Sequence, residues 1–206
     1  MSGQARFVLV VVAVLLVMAA VWTWLPPSDE SQAAIEEALV AYESLDTVVW
    51  PPDLYDDPTL TPQQQEALVA TREDAWRDVA EGDALTRALQ QDPRLVRRAA
   101  AERRRSPHAG FATGAGGDVA VFDFRRRTFG GEILVRAVVV GWVEKGSWSM
   151  RAGELVDVHR DEAAGGPVLT YTLRQHGDVW RVVGADAPDG PPYFYDAETG
   201  EYGTGP

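Results

Sequence analysis

The stretch Leu169–Val183, LTYTLRQHGDVWRVV, decides the fold. Apolar and polar residues alternate on both sides of Gly177-Asp178, and this period of two is typical of strands. A Gly-Asp pair between two such runs favours a tight turn. The pattern therefore predicts an antiparallel hairpin of strands at 168–176 and 179–185.

Three more stretches upstream have the same period. They are residues 118–126, 132–144 and 154–160, joined by turns at Gly130-Gly131 and Gly146-Ser147 and followed by Gly165-Gly166-Pro167. Short connections between successive strands predict an antiparallel meander. The stretch 132–144 is long and contains Gly141, which indicates a bulge or bend. A curved, half-open sheet needs such a strand.

The period is 3.6 between residues 28 and 105, which predicts helices. The expected helices cover 28–46, 61–80, 83–91 and a last segment that starts at Asp92-Pro93. Thr61-Pro62-Gln63-Gln64 has an N-cap, a proline at N1 and a glutamine able to close a capping box. Residues 47–60 and 106–117 are predicted to be connections. The fold class is thus α+β, with three to four helices packed on a four- to five-stranded antiparallel sheet.

The hairpin at 169–183 resembles the last hairpin of NTF2-like (cystatin-like α+β) domains, where a "tyTLvr" strand turns through Gly/Asp into "WrVv". The stretch 132–144 fits the long central strand of that fold, and the resemblance covers residues 30–187. It implies a curved sheet, a cone that encloses a pocket, and dimerisation through the open sheet face. Membrane-anchored members of the family include Mce-associated proteins and extracytoplasmic assembly factors of type IV secretion machines. Soluble members include ketosteroid isomerase and polyketide cyclases, so the fold alone does not settle function.

Residues 7–25, FVLVVVAVLLVMAAVWTWL, contain no charge. This length is sufficient for one helix to cross the hydrocarbon layer of a membrane, which is roughly 30 Å thick. Trp22 and Trp24 suit the bilayer interface. The alternative is a signal peptide cleaved after Ala19 or Ala20, but the run exceeds the usual h-region and bulky aromatics make a poor cleavage site.

Charge sets the predicted orientation. Arg6 precedes the apolar run, and Asp29 and Glu30 follow it. Because positive charge stays inside, residues 1–6 are expected in the cytoplasm, with an extracytoplasmic domain at 28–187 in the cell envelope. Residues 188–206 contain acidic residues and no basic ones, and are expected to form a flexible acidic tail.

Composition excludes several classes of function. The chain has no cysteine, so disulfides, thiol nucleophiles and lipoprotein acylation are excluded. The net charge of −12 argues against nucleic-acid binding. Eighteen of the nineteen basic residues are arginine, and the high Ala, Gly and Val content indicates a GC-rich, actinobacterial source. The arginines between Arg94 and Arg105 are interpreted as a solvated helix end, with contact to anionic lipid or an acidic partner as the alternative.

Two groups of residues are candidates for acid–base chemistry. Asp123 lies between Phe122 and Phe124, where a carboxylate can act as a general base or pair with Arg136 on the neighbouring strand. Asp157 and His159 share one face of a predicted strand, either as a proton-transfer pair or as an exposed polar face. His108, His159 and His176 lack metal-ligand spacing, and no phosphate-binding loop is present. No metal and no cofactor are therefore expected.

Trp142 and Tyr171 are the expected walls of any ligand pocket, although large aromatics in a sheet are more often core. The preferred hypothesis is a non-enzymatic, single-pass membrane protein whose NTF2-like domain binds an envelope protein or assembles a complex. A pocket for a small molecule or lipid is the second hypothesis, discriminated by a chamber above about 300 Å³. An isomerase- or cyclase-type enzyme is the third, and it requires Asp123 or Asp157 to face a pocket interior.

Overall fold

A computed structural model describes residues 3–57, 59–106, 110–128, 130–187, 190 and 193–203, with the backbone alone for 3–10. Within these residues the chain is an α+β protein with four α-helices and a mostly antiparallel five-stranded sheet. The expected fold class is confirmed at this level. The order of helices first and strands second follows the change of period from 3.6 to 2 along the sequence.

The helices are α1 (Gly3–Trp24), α2 (Asp29–Ser44), α3 (Pro62–Val79) and α4 (Gly82–Arg105). The predicted start of α3 is confirmed. The Thr61 hydroxyl accepts a hydrogen bond from the Gln64 amide, and the Gln64 side chain accepts one from the Thr61 amide. This reciprocal capping satisfies two amides that the helix itself leaves unpaired.

The prediction of a helix break at Asp92-Pro93 is wrong, because α4 runs through both residues. A proline inside a helix removes one backbone hydrogen bond and is usually costly. Asp92 is fully buried, and its carboxylate accepts bonds from the side chains of α3 instead of capping a new helix. Tertiary packing of α4 against α3 therefore outweighs the local signal.

The strands of the main sheet are β1 (Phe111–Arg127), β2 (Glu132–Ser149), β3 (Glu154–Glu162), β5 (Leu169–His176) and β6 (Val179–Asp186). The hairpin of β5 and β6 around Gly177-Asp178 is confirmed. The simple meander is wrong, because the order is β1-β2-β5-β6 with β3 also paired to β2. β2 is long enough to pair with β5 over Glu132–Ala137 and with β3 over Trp142–Ser149.

Strand boundaries differ from the prediction at the start of the sheet. Residues 111–117, expected as loop, belong to β1, and the expected turn at Gly146-Ser147 lies inside β2. The register of β1 against β2 shifts at three places, with extra residues at Thr113, Ala120 and Arg125. No shift occurs at Gly141, which pairs regularly with Gly117. The irregularities therefore lie in β1 and not, as expected, at Gly141.

A second, three-stranded sheet consists of β4 (Gly165–Pro167), β7 (Phe194–Asp196) and β8 (Glu201–Gly203). The sequence predicts a flexible tail at 188–206, whereas in the structure β7 pairs with β4 and with β8. Gly165 permits the close approach, because a Cβ atom there would lie 2.1 Å from the Tyr195 carbonyl oxygen. Pro191 and Pro192 lie outside the described residues.

The core lies between the helices and one face of the main sheet. Its members come from all of α2, α3, α4, β2, β5 and β6, and they include Ile35, Leu39, Trp76, Ala84, Val135, Tyr171, Leu173 and Val182. A second cluster lies where the connection before α3 meets α4 and the start of β1, and it includes Trp50, Leu60, Leu68, Val96 and Phe111. Cavities form around this second cluster.

α1 stands apart from both clusters, and its large apolar side chains from Val11 onward are exposed. Among the residues whose side chains are described, which in α1 begin at Val11, no single helix is long and apolar enough to cross a membrane. Val11–Trp24 and Asp29–Ser44, bent by 50° at Pro26-Pro27, satisfy the length and composition criteria only as a pair.

Candidate binding cavities around Trp50

The connection between α2 and α3 is fixed to the sheet through Trp50. The Trp50 amide donates a hydrogen bond to the Ala112 carbonyl oxygen at 2.9 Å, which attaches the connection to the start of β1. The Trp50 ring is buried and meets Phe111 edge to face, with centroids 6.5 Å apart. This arrangement places Trp50 in the walls of two cavities.

The first cavity, of about 500 Å³, lies beside the C-terminal end of α4. Its walls include Val48, Trp50, Leu95, Arg98, Arg103, Arg105 and Phe111. Both apolar groups and guanidinium groups therefore face the same space. Such a mixture suits a ligand with an apolar body and an anionic group.

Arg103 is the unusual member of this wall, because only 6% of it is exposed. Its guanidinium carbon lies 3.9 Å from the Phe111 ring centroid and 4.7 Å from that of Trp50. Nη2 donates to the Tyr55 carbonyl oxygen, while Nε and Nη1 have no hydrogen-bond partner among the described residues. Burial lowers the pKa of Arg103, and the ring faces stabilise its charge.

The second cavity is an apolar cleft of about 640 Å³ between the connection, α3 and β1. Its walls include Leu45, Trp50, Pro51, Leu54, Ala67, Leu68, Arg72 and Ala115. The volume falls within the usual range of small-molecule sites, about 300–1,000 Å³. The cleft is therefore large enough for a small molecule, although it lies beside the connection and not inside the expected cone of sheet and helices.

Arg72 lies in a wall of this cleft and holds three segments together. Its Nε and Nη2 donate to the Asp92 carboxylate, Nη1 donates to the Thr47 carbonyl oxygen, and Nη2 also donates to that of Leu45. Trp76 Nε1 donates to the same carboxylate at 3.0 Å. Because its partners satisfy the buried charge, this network fixes the cleft wall instead of offering a free cation.

The third cavity, of about 380 Å³, has an acidic lining that includes Glu43, Asp46, Trp142, Lys145, Asp161 and Glu162. The Tyr171 hydroxyl donates to Glu43 Oε1 at 2.8 Å. Burial raises the pKa of Glu43, although the Tyr171 bond opposes this. Burial also raises the pKa of Tyr171, and raises that of Tyr42 to about 12. A carboxyl group with a raised pKa beside a cavity is a candidate for proton exchange with a bound molecule.

Trp142 and Tyr171, the two residues expected to form the walls of a ligand pocket, lie in different surroundings in the structure. Trp142 lines the third cavity, its ring lies over Gly116, and the Arg160 guanidinium carbon is 4.0 Å from its centroid. Tyr171 is only 1% exposed and belongs to the core, where it contributes its hydroxyl to Glu43. It lines none of the three cavities above.

Asp123 lies directly opposite Arg136 in the register of β1 and β2. Its carboxylate forms an ion pair with Arg125 at 2.9 Å, and about half of its side chain is exposed. The apolar neighbours on each side thus do not enclose it. The residue lines none of the three cavities described above.

The expected Asp157–His159 pair is altered by a bulge. Asp157 has a φ of 52°, and the register of β3 shifts beside it. His159 Nδ1 therefore lies 3.0 Å from the Asp157 backbone oxygen, and His159 Nε2 lies 3.6 Å from the Asp161 carboxylate. Asp157 and His159 are exposed, and so is Val158 between them.

The remaining candidates lie at the surface or outside the described part of the chain. His176 Nε2 is 2.7 Å from Glu81, and His108 is outside the described residues. Arg94, Arg97, Arg98, Arg104 and Arg105 are exposed, as the solvated-helix interpretation predicts, but that interpretation is wrong for Arg103, which is buried. Among the described residues, no group of three or more His, Asp or Glu side chains is arranged to hold a metal ion.

Sequence reasoning does not identify Arg103, Glu43 or the Arg72–Asp92 pair. A signal exists for Arg72, because it lies four residues from Leu68 and Trp76 on the apolar stripe of α3 and so faces inward. Arg103 lies in the same way seven residues after Val96. No protein-family model matches this chain, and no curated protein matches it.

Proposed function

We propose that this chain is a single-pass membrane protein of the cell envelope whose α+β domain lies outside the cytoplasm and binds another protein or assembles a complex. The observation that carries the proposal is the exposed apolar helix α1, which joins the domain through a very short linker. The proposal also takes the domain to be NTF2-like and the source to be actinobacterial.

The anchor is supported by the length and exposure of α1. A 22-residue helix is about 33 Å long at 1.5 Å per residue, close to the roughly 30 Å of hydrocarbon. Leu16, Met18 and Trp24 are each more than 60% exposed, and none packs on the domain core. A contiguous apolar surface of this kind needs a cover, and lipid chains provide one.

The NTF2-like assignment is supported by the arrangement of the elements. Helices α2, α3 and α4 pack on one side of an antiparallel sheet with a long β2, and the hairpin of β5 and β6 carries the motif residues. Bulges increase the local twist of a strand and bend it. The three extra residues of β1 therefore favour a curved sheet.

The end of the sheet remote from α1 offers a contact surface for a partner. Met150 and Val158 are 76% and 49% exposed, and both lie at or beside β3, which pairs only with β2 among the described strands. Exposed apolar groups next to a sheet edge are suited to protein contacts. β3 is thus the part of the domain where we place the partner.

Mild crosslinking in the native membrane, followed by mass spectrometry of the attached proteins, tests this function. The double variant Met150→Glu, Val158→Glu is expected to lose the crosslinked partner. Val179→Glu, which changes an equally exposed apolar residue at the opposite end of the sheet, is the matched control and should keep it. A full-length protein that yields no crosslinked partner contradicts the proposal.

A second candidate function is binding of a small molecule or lipid, favoured by the 640 Å³ apolar cleft. Native mass spectrometry of the full chain with decanoate as the probe tests it, since a molecule held in the cleft stays with the protein after the micelle is removed. Ala67→Trp fills the cleft and should abolish retention. Gln63→Trp, an exposed position on the same helix outside the cleft, should not. If both variants retain decanoate equally, the cleft is not the binding site.

A further inference from the structure

We propose that Arg125, Arg126 and Arg127 form a basic ridge that binds anionic phospholipid headgroups where the domain meets the membrane. The inference rests on the proposed anchor, because α1 brings these residues to the bilayer surface. It goes beyond anchoring by assigning a lipid-recognition surface to the domain itself.

The linker holds the domain close to the membrane. Only Leu25, Pro26, Pro27 and Ser28 separate α1 from α2, and Pro27 is buried. Two consecutive prolines have fixed φ angles, and a buried residue has little freedom to move. The domain therefore lies directly on the bilayer and presents one defined end to it.

Arg127 lies at that end and contacts α1. Its Nε donates to the Leu25 carbonyl oxygen at 3.3 Å, and its guanidinium carbon lies 5.8 Å from the Trp22 ring centroid and 5.9 Å from that of Phe124. Tryptophan rings at the end of a membrane helix settle at headgroup depth. Arg127 is thus at the depth of the lipid phosphates.

The bulge in β1 brings two more arginines to the surface. In a regular strand neighbouring side chains alternate between faces, but Arg125 is the extra residue between Phe124 and Arg126 in the register with β2. Arg125 and Arg126 are consequently both exposed. Asp123 neutralises part of the Arg125 charge at 2.9 Å.

The ridge is notable because the chain as a whole has a net charge of −12. Asp29 and Glu30 are the acidic residues nearest to the anchor along the chain, and both lie in the first turn of α2, where they complement the helix dipole. Guanidinium groups bind phosphates with paired hydrogen bonds. Three consecutive arginines at headgroup depth therefore match anionic phospholipids better than neutral ones.

The test uses the full chain reconstituted in equal parts of phosphatidylglycerol and phosphatidylcholine. After gentle extraction, mass spectrometry gives the ratio of the two lipids retained by the protein. The variant Arg125→Gln, Arg126→Gln leaves the Arg127–Leu25 contact in place. The control Arg94→Gln, Arg97→Gln removes the same charge from the exposed face of α4.

We expect the wild type to retain phosphatidylglycerol preferentially. The ridge variant should lose roughly five- to 25-fold of that preference, since each arginine near an anionic surface contributes about fivefold and Asp123 offsets part of the Arg125 charge. The control should match the wild type, and 0.5 M salt should weaken the wild-type preference. Equal lipid ratios for the wild type, the ridge variant and the control would contradict lipid binding by the ridge. An equal loss of phosphatidylglycerol preference in the control would contradict it too. If carbonate releases the wild type from membranes, the proposed membrane anchor is wrong as well. Failure of the ridge proposal alone therefore differs from failure of the anchor proposal.

Discussion

Arg72 and Asp92 form a buried ion pair that joins α3 to α4. Arg72 Nη2 lies 2.7 Å from Asp92 Oδ1, and the two side chains are 7% and 0% exposed. Because Arg72 also donates to Thr47 and Leu45, the pair connects both helices to the end of α2 and supports the wall of the apolar cleft.

Asp92→Ala should destabilise the protein by about 3–5 kcal/mol, since it leaves a buried guanidinium without its anion. Urea unfolding of the full chain in micelles measures this loss. Glu73→Ala removes the exposed pair with Arg77, 3.1 Å apart, and should cost less than about 1 kcal/mol. Equal losses for the two variants would show that the buried pair is not structural.

Arg103 and Arg72 are equally buried but should respond differently to methionine. Arg103→Met should change the free energy of unfolding by less than about 1 kcal/mol, because it removes two unpaired polar atoms and keeps contact with the Trp50 and Phe111 rings. Arg72→Met should cost about 3–5 kcal/mol, because it leaves the buried Asp92 carboxylate without its cation. A loss for Arg103→Met as large as for Arg72→Met would contradict this account.

Glu43→Gln should raise the melting temperature at pH 7. Burial raises the pKa of Glu43 above its ordinary value of 4.5, so the folded state holds this proton more tightly than the unfolded state. The stability that Glu43 contributes through this proton is fully present below about pH 4.5. It is lost as the pH rises through the pKa of Glu43 in the folded state. Glutamine cannot ionise and still accepts the Tyr171 bond. The advantage of the variant should therefore vanish at low pH, and an advantage that grows on acidification would refute the assignment.

Gly116→Ala should destabilise the protein by about 1–3 kcal/mol through overpacking. A Cβ atom at Gly116 would lie 2.4 Å from Trp142 Cζ2, so the indole must move. Near-ultraviolet circular dichroism reports that movement, and denaturant unfolding measures its cost. Gly130→Ala is the control, because the nearest atom to its Cβ is 3.7 Å away. An unchanged tryptophan signal in Gly116→Ala would show that the ring is not held over the glycine.

Local sequence signals predict those elements whose interacting groups all lie within a few consecutive residues. Thr61-Pro62-Gln63-Gln64 contains every group of its capping box, and Gly177-Asp178 contains its turn, so both are found from sequence. Asp92-Pro93 has the same local signals, but the partners of the Asp92 carboxylate lie sixteen and twenty residues away along the chain. A short stretch of sequence around Asp92 therefore does not reveal these hydrogen-bond partners.

The sheet order and the cavities depend on similar long-range contacts. β5 and β3 pair with different parts of the same edge of β2. There is room for both because β2 is long and because the chain turns at 150–153 and not, as predicted, at Gly146-Ser147. The bulge at Asp157 breaks the alternation on which its pairing with His159 depends. Glu43 acquires its surroundings only when α2 packs against Tyr171, 128 residues later.

Labelling of single cysteines in intact cells tests the central claim most directly, because the natural chain contains no cysteine. Asp74 has an 82% exposed side chain on α3, and Ser2 precedes the proposed anchor in the sequence, so the proposal predicts that it lies in the cytoplasm. A membrane-impermeant maleimide should label Asp74→Cys in intact cells and Ser2→Cys only after lysis. Labelling of Asp74→Cys only after lysis, or recovery of a chain that begins near Val21 in the medium, would contradict a domain tethered outside the membrane.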